Sequence, residues 1–231
     1  MKDHDILIFI NNNFNRKINI SKSIVNICKK REFAFNYIKE HLNKFFKVRK
    51  TTKYLDIGCG DGSKTLTFAK IFNINHIYGT DINTWGPYFE NKKFNFNFKL
   101  IENDKLNYDS NSFNIITCFV TLHHVKNLDK IIEEIYRILK KNGILIIIEH
   151  DILNYLDQLI VDIEHLFFSY FYDNNENYIN NPDYALYFNN MEFRYLLSEK
   201  YKFKYLYGNT YYESINMHKK YDQQFFQIYK K

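Results

Sequence analysis

Short apolar runs recur along the chain between Tyr54 and Glu149, and polar or amphipathic segments separate them. Runs of this length without strict alternation are typical of strands that are buried on both faces of a parallel sheet. Right-handed crossover connections then place helices on both faces of that sheet. The five predicted strands are Tyr54 to Ile57, His76 to Gly79, Phe98 to Ile101, Asn114 to Val120 and Gly143 to Glu149.

Helical spacing marks most of the segments between and around these runs. In Leu128 to Lys140, isoleucines at three- and four-residue spacings share one face, and Asn142-Gly143 supplies a stop signal. The remaining predicted elements are helices over Arg31 to Phe46, Leu153 to about Tyr170 and Met191 to Lys200, and strands over Phe203 to Tyr207 and Gln224 to Tyr229. The pattern therefore predicts an α/β fold, doubly wound and mostly parallel, with a closing hairpin.

The 231 residues suffice for one substantial core, and no stretch rich in Pro, Gly or Ser divides them. We predict a single domain. Its parts are an N-terminal helical extension over 1–50, a core over 51–151, an aromatic-rich substrate-side insertion over 152–200 and a closing β-hairpin over 201–231.

Composition bears on the partners and the cellular compartment of the protein more than on any reaction that it catalyses. The net charge of +6 permits an acidic partner such as RNA, although the lysines are scattered. The longest aliphatic run, Ile144 to Ile148, is far shorter than the ~20 residues of a membrane-spanning helix. Three widely spaced cysteines without a Cys-x-x-Cys pair favour reduced thiols and a cytoplasmic protein. Heavy use of Asn, Lys, Ile, Phe and Tyr suggests an AT-rich genome, such as that of a virus, a parasite or a low-GC bacterium.

One motif carries most of the functional information. "YLDIGCGDGSKT" follows the first predicted strand and places Gly58, Gly60 and Gly62 at alternate positions after Asp56. A nicotinamide-dinucleotide fingerprint needs its third glycine one residue later, where this chain has Ser63. The Asp-x-Gly-x-Gly-x-Gly pattern instead resembles the class I S-adenosylmethionine-dependent methyltransferases.

The resemblance continues from about Tyr54 to Asp151. "HIYGTDIN" resembles the second strand of that family, which ends in an acid, and "LIENDKLNYDSNSFNIITCFVTLHHV" and "EEIYRILKKNGILIIIEHD" resemble its next blocks. Together these blocks resemble the broad type 11 group. The resemblance implies a seven-stranded sheet whose last strand is antiparallel, and S-adenosylmethionine as the methyl donor.

The family's donor-binding residues carry over onto matching positions. The amides of the glycine loop would approach the methionine moiety, and Asp56 would face its ammonium group. Asp81 would accept hydrogen bonds from the ribose hydroxyls.

The same resemblance implies the adenine and sulfonium contacts. Asp104 would accept from the adenine amino group, although Glu102 lies nearby, and Ile82 and Leu106 would form apolar walls. Phe119 would border the sulfonium.

Three histidines are candidate catalytic groups. His123 and His124 follow the fourth strand and His150 ends the fifth, where sheets of this kind bind ligands. Asp162 and His165 lie one helical turn apart and can join them in a polar cluster. The alternative is that these groups only order the loops. No metal site is predicted, because the sequence positions no third ligand.

The acceptor stays open. Neither the Asp/Asn-Pro-Pro-aromatic signature of amino methylation nor the Lys-Asp-Lys-Glu set of ribose methylation is present, so a small molecule, RNA or protein remains. A catalytically inactive binding or regulatory subunit is the alternative function. Gly86-Pro87 after Trp85 interrupts a helix common in the family, and Phe167 to Tyr187 is a candidate lid.

Overall fold

Seven strands form the sheet of the computed structural model, which describes residues 20–82, 96–102, 104–173, 185–210 and 224–231. The strands are β1 Lys53–Ile57, β2 His76–Asp81, β3 Asn97–Leu100, β4 Phe113–Phe119, β5 Leu139–His150, β6 Lys204–Thr210 and β7 Gln224–Lys230. Their order is β3-β2-β1-β4-β5-β7-β6. Neighbours among β1 to β5 pair in parallel, and β7 pairs antiparallel with both β5 and β6. The predicted fold class is confirmed, including the antiparallel last strand.

Helices cover both faces of this sheet. They are α1 Ile20–Leu42, α2 Ser63–Phe72, α3 Leu128–Ile138, α4 Tyr155–Asp173 and α5 Asn190–Tyr195, with a 3-10 turn at Leu122–His124 and a π-helical turn at Leu196–Lys200. Strand β5 shows the division between the faces. Ile146 packs in the cluster that contains α1 and α2, whereas Ile147 packs with α3 and α5. Alternate side chains of a strand point to opposite faces, so both faces must be apolar.

The largest boundary difference lies at the end of α3. The predicted helix over Leu128 to Lys140 ends at Ile138, and β5 begins at Leu139 instead of Gly143. Leu139 adopts an extended conformation, and Asn142 has a φ of 62° inside the strand. The Asn-Gly pair therefore marks an irregularity within β5 and does not stop the helix.

Further boundaries differ by more than two residues. The first helix begins at Ile20, eleven residues before the predicted Arg31, and ends at Leu42. Strand β6 extends to Thr210, and the predicted helix over Met191 to Lys200 becomes α5 plus the π-helical turn. Asn189 caps α5 through a capping box with Glu192, which fixes where that helix begins.

Some predictions fall on other parts of the chain. The interruption at Trp85, Gly86 and Pro87 lies outside the described residues, and so do most side chains of the candidate lid. Among the described helices, none is both long and apolar enough to cross a membrane.

Candidate functional site

The glycine motif forms the loop between β1 and α2. Gly58, Gly60 and Gly62 have φ values of 70°, 53° and 73°, which L-residues with a β-carbon rarely adopt. The amide of Gly58 donates to the carbonyl oxygen of Thr80 at 2.8 Å and thereby ties the loop to β2. Backbone conformation alone thus explains why the motif uses glycine at alternate positions.

Two of these glycines face different surroundings. A β-carbon on Gly58 would lie 2.1 Å from Cγ2 of Thr121, whereas one on Gly60 would meet no heavy atom of the described residues within 4 Å. Gly58 is therefore needed for packing between the loop and the residues after β4. The space beside Gly60 is open, and a bound molecule can approach the backbone there. This open space fits the donor that the motif predicts.

Asp81 ends β2 directly beside this space. Its Oδ2 accepts a hydrogen bond from the amide of Gly60 at 2.8 Å, and its Oδ1 accepts from the amide of Ile82 at 2.7 Å. A carboxylate oxygen has room for more than one donor, so ribose hydroxyls can be added. The Ile82 side chain is 66% exposed, which leaves an apolar surface next to the carboxylate. This arrangement suits a nucleoside, and the individual contacts stay predictions.

Asp56 lies beneath the loop rather than on its surface. Its carboxyl group is buried, Oδ2 accepts from the Thr65 hydroxyl at 2.5 Å, and Oδ1 accepts from the Thr117 hydroxyl at 2.6 Å. These bonds join β1 to α2 and to β4. Burial raises the pKa of Asp56 to about 6, although the hydrogen bonds from the two threonines lower it in part. The predicted contact with an ammonium group stays a prediction.

Replacement of Asp56 by Asn is expected to remove the contribution of this carboxyl group to the pH dependence of the unfolding free energy. Because the folded-state pKa of about 6 lies above the ordinary 3.8, the folded protein loses stability as pH rises through this window. The difference corresponds to about 3 kcal/mol between pH 3 and pH 7. Urea unfolding of wild type and Asp56→Asn across that range measures it, with exposed Asp109→Asn as the control. Equal pH slopes in wild type and Asp56→Asn would contradict the assignment.

The remaining predicted donor contacts differ in exposure. Asp104 is partly exposed and accepts from the side-chain amide of Asn127 at 2.5 Å. Leu106 is 1% exposed in the core, and Phe119 packs against Phe35 of α1 with ring centroids 5.1 Å apart. Burial leaves Leu106 and Phe119 little surface for a ligand in this conformation, so their contacts stay predictions.

The chain makes a strained turn after β4. Val120 has a φ of 59°, which costs a β-branched residue ~1–3 kcal/mol. Glu149, buried near the end of β5, accepts from the amides of Thr121 at 2.9 Å and Leu122 at 2.6 Å through Oε1. Its Oε2 lies 2.6 Å from Nδ1 of His123. Glu149 therefore holds both the turn and the first histidine.

Within the described ranges, four histidine rings gather at this end of the sheet. The centroid of the His123 ring lies 4.0 Å from that of His124, 4.9 Å from that of His150 and 5.1 Å from that of His165. The hydroxyl of Tyr187 lies 2.9 Å from Nδ1 of His165. Burial, and then the neighbouring histidines, lower the pKa of His165 to about 3, so its imidazole is neutral at pH 7. The predicted histidines thus share one polar cluster with α4.

Glu149 is a central residue of this site that the sequence patterns do not single out. The signal for Glu149 is its place at the end of the aliphatic run "ILIIIEH". Glutamate is rarely buried, and a buried glutamate needs a partner. The contact of His165 with Tyr187 has no such local signal. It depends on how 185–188 returns over α4, where the amide of Leu186 donates to the carbonyl oxygen of His123 at 2.8 Å.

Curated relatives match the central part of the chain. The chain is 32% identical over 120 residues to the ubiquinone biosynthesis O-methyltransferase of Pelagibacter ubique, which covers 48% of this chain and 50% of that protein. It is 29% identical over 119 residues to the ubiquinone/menaquinone biosynthesis C-methyltransferase UbiE of Hydrogenovibrio crunogenus, covering 48% and 47%. The chain spans about half the length of these curated relatives.

Solved structures share the fold over most of the chain. The YcgJ protein of Bacillus subtilis gives a TM-score of 0.56 at 16% identity, covering 87% of this chain and 97% of that one. A SAM-dependent methyltransferase of Aquifex aeolicus gives 0.55 at 16% identity, covering 83% and 88%. A sequence profile of the family described as "Methyltransferase domain" matches residues 30–198, well over half of the chain. On this match, with the sheet order and the glycine loop, the chain belongs to the class I S-adenosylmethionine-dependent methyltransferases with a Rossmann-like fold.

Proposed function

We propose that the chain is an active methyltransferase that binds S-adenosylmethionine beside the glycine loop and takes its acceptor at the histidine cluster. The observation that carries this proposal is the Asp81 carboxylate next to the open space at Gly60. A chain that did not bind the donor would have no chemical need for a carboxylate at this place.

The donor side depends on positioning and little covalent chemistry. Bound S-adenosylmethionine supplies an electrophilic methyl group. Asp81 accepts hydrogen bonds from ribose hydroxyls, and Ile82 covers one face of the adenine ring with apolar surface. The positive φ values at Gly58, Gly60 and Gly62 keep the loop backbone close to the ligand.

The acceptor side is the group of histidines at the carboxyl ends of β4 and β5. Ligands of open α/β sheets bind at these strand ends. Glu149 fixes the ring of His123, so this imidazole has a defined orientation for accepting a proton from an acceptor hydroxyl. His124 and His150 lie within 5 Å of that ring, centroid to centroid, and complete the candidate set.

We further propose a small hydroxylated acceptor as the first class to test. Two relatives are named for quinone biosynthesis, and their substrates come to this chain only as a suggestion. RNA remains a second class because the net charge is +6. The protein is incubated with methyl-labelled S-adenosylmethionine and a panel of phenols, catechols, RNA and proteins.

Label transfer to one acceptor by wild type, lost in Asp81→Asn and kept in Asp109→Asn, would support the proposal. Tight binding of S-adenosylhomocysteine without transfer to any member of the panel would favour the binding or regulatory subunit. Absence of both binding and transfer would contradict donor binding itself.

A further inference from the structure

Three of the clustered histidines bring ring nitrogens close together. One ring nitrogen from each of His123, His124 and His165 lies within 4.8 Å of one from each of the other two. The rings of His123 and His165 are stacked, with an interplanar angle of 1°, so one ring must turn before both lone pairs can point at one ion. His123 and His124 follow β4, whereas His165 comes from α4, so the chain assembles the group from two distant segments.

His123 has one nitrogen committed and one without a partner. Its Nδ1 lies 2.6 Å from Oε2 of Glu149, whose Oε1 accepts from the amides of Thr121 and Leu122. A carboxyl group that two backbone amides hold in this way acts as an acceptor, so Nδ1 carries the proton and Nε2 carries the lone pair. In the described part of the chain, this buried Nε2 has no hydrogen-bond partner. A buried polar atom left in this way needs an explanation, and a bound ligand is one.

The ring of His165 is also oriented by a carboxylate, with the Tyr187 hydroxyl between the two groups. The Tyr187 hydroxyl donates to Oδ1 of Asp162 at 2.8 Å and lies 2.9 Å from Nδ1 of His165. Because the hydroxyl proton goes to Asp162, the Tyr187 oxygen accepts from Nδ1 of His165. The lone pair of His165 is therefore on Nε2. In metal sites, ligating histidines commonly donate their other ring N–H to a carboxylate or another acceptor, which sets the tautomer.

We propose that His123, His124 and His165 bind one divalent transition metal ion of the zinc class. Three imidazoles with an open fourth position are a ligand set that Zn²⁺ accepts, and Co²⁺, Ni²⁺ and Cu²⁺ also bind imidazole. Metal–nitrogen bonds of about 2.0–2.1 Å bring the nitrogens to about 3.4 Å from one another. Rotation of the exposed His124 and the half-buried His165 side chains closes the remaining gap.

The metal site would also restrict the acceptor, and this step rests on the proposed function. The fourth position would take the acceptor hydroxyl, which ionises more readily on a metal ion than when free and would lose its proton to water. With Nε2 of His123 bound to the metal, the ion would replace His123 as the group that activates the acceptor. Acceptors that carry a phenol or a catechol hydroxyl are then favoured.

Calorimetric titration with zinc chloride tests the site. The full chain is used without an affinity tag after treatment with a chelator. Wild type is expected to bind one equivalent, and His124→Ala and His165→Ala are each expected to lower the affinity by at least tenfold. His76→Ala is the matched control, since His76 is exposed at the amino end of β2, whereas the cluster lies at the carboxyl ends of β4 and β5. No uptake by wild type, or equal titrations of wild type and His165→Ala, would overturn the proposal.

Glu149→Gln gives a second test that removes no ligand. The glutamine amide would donate to Nδ1 of His123 and move the imidazole proton to Nε2, where it blocks the metal. We expect an affinity loss of about tenfold to hundredfold. Unchanged zinc affinity in the folded variant would contradict the tautomer that the site requires.

A separate titration of the metal-free protein with S-adenosylhomocysteine distinguishes the two proposals. Zinc uptake without binding of this ligand supports the metal site and contradicts the proposed function. Binding of this ligand without zinc uptake overturns the metal site alone.

Discussion

Asp81→Asn is expected to weaken the binding of S-adenosylhomocysteine by about hundredfold or more. Hydrogen bonds to a charged group contribute ~1.5–3 kcal/mol each, and two ribose hydroxyls would lose that charge together. The amide oxygen of Asn can still accept from the amide of Gly60, so the loop keeps one of its contacts with β2. Calorimetry measures the affinity directly.

Asp109→Asn is the control for this prediction. Asp109 is an exposed acid in the segment before β4, at the amino end of that strand, whereas Asp81 lies at the carboxyl end of β2. It tests whether loss of one negative charge matters by itself. If Asp81→Asn bound the ligand as tightly as Asp109→Asn, the carboxylate of Asp81 would have no part in donor binding.

Gly58→Ala is expected to lower mainly the stability of the protein, and Gly60→Ala mainly its affinity for the donor. Both residues have positive φ, which costs alanine ~1–2 kcal/mol in either place. At Gly58 the new methyl group also overlaps Thr121, so a total loss of about 2–5 kcal/mol in unfolding free energy is expected. At Gly60 the methyl group enters the open space, so stability falls little further but donor affinity falls about tenfold to hundredfold.

The two variants act as controls for each other, because the substitution and the loop are the same. Urea unfolding gives the stabilities and calorimetry with S-adenosylhomocysteine gives the affinities. Equal stabilities would contradict the close packing between Gly58 and Thr121. Wild-type affinity in Gly60→Ala would show that the open space beside this glycine is not where the donor lies.

The sequence predicts the sheet because its signals are local. Continuous apolar runs such as Ile144 to Ile148 must be buried on both sides, and this requires helices on both faces. The signal of the glycine loop is equally local, since its backbone conformation permits few residues other than glycine. Ambiguity begins at the ends of elements. Asn142-Gly143 reads as a helix stop but lies inside β5, because an Asn in the left-handed region suits either role.

The sequence predicts which histidines gather, but not how closely their rings pack. His123 and His124 are recognisable as candidates because they follow a buried strand, and His165 because it lies one helical turn from Asp162 on the helix after β5. Their approach depends on how α4 packs after β5 and on the buried Glu149. Contacts between residues some forty positions apart are set by tertiary packing, which a periodic pattern does not encode.

At the acceptor end, the strained turn at Val120 is held by the hydrogen bonds of the buried Glu149. Val120 adopts its unusual φ while Glu149 accepts the two following amides and holds His123. Strain of this kind persists where surrounding contacts over-determine it, and such places are enriched at functional sites. The same acid thus stabilises the loop and orients the ring.

Thermal unfolding in the presence of S-adenosylmethionine, S-adenosylhomocysteine or NAD shows whether the protein binds the methyl donor. A ligand at a hundredfold excess over its dissociation constant adds ~2.7 kcal/mol, which for a chain of this size raises Tm by roughly 5–10 °C. The account predicts this rise with both adenosyl ligands and no rise with NAD. A folded protein whose Tm responds to neither adenosyl ligand, or responds equally to NAD, would contradict it.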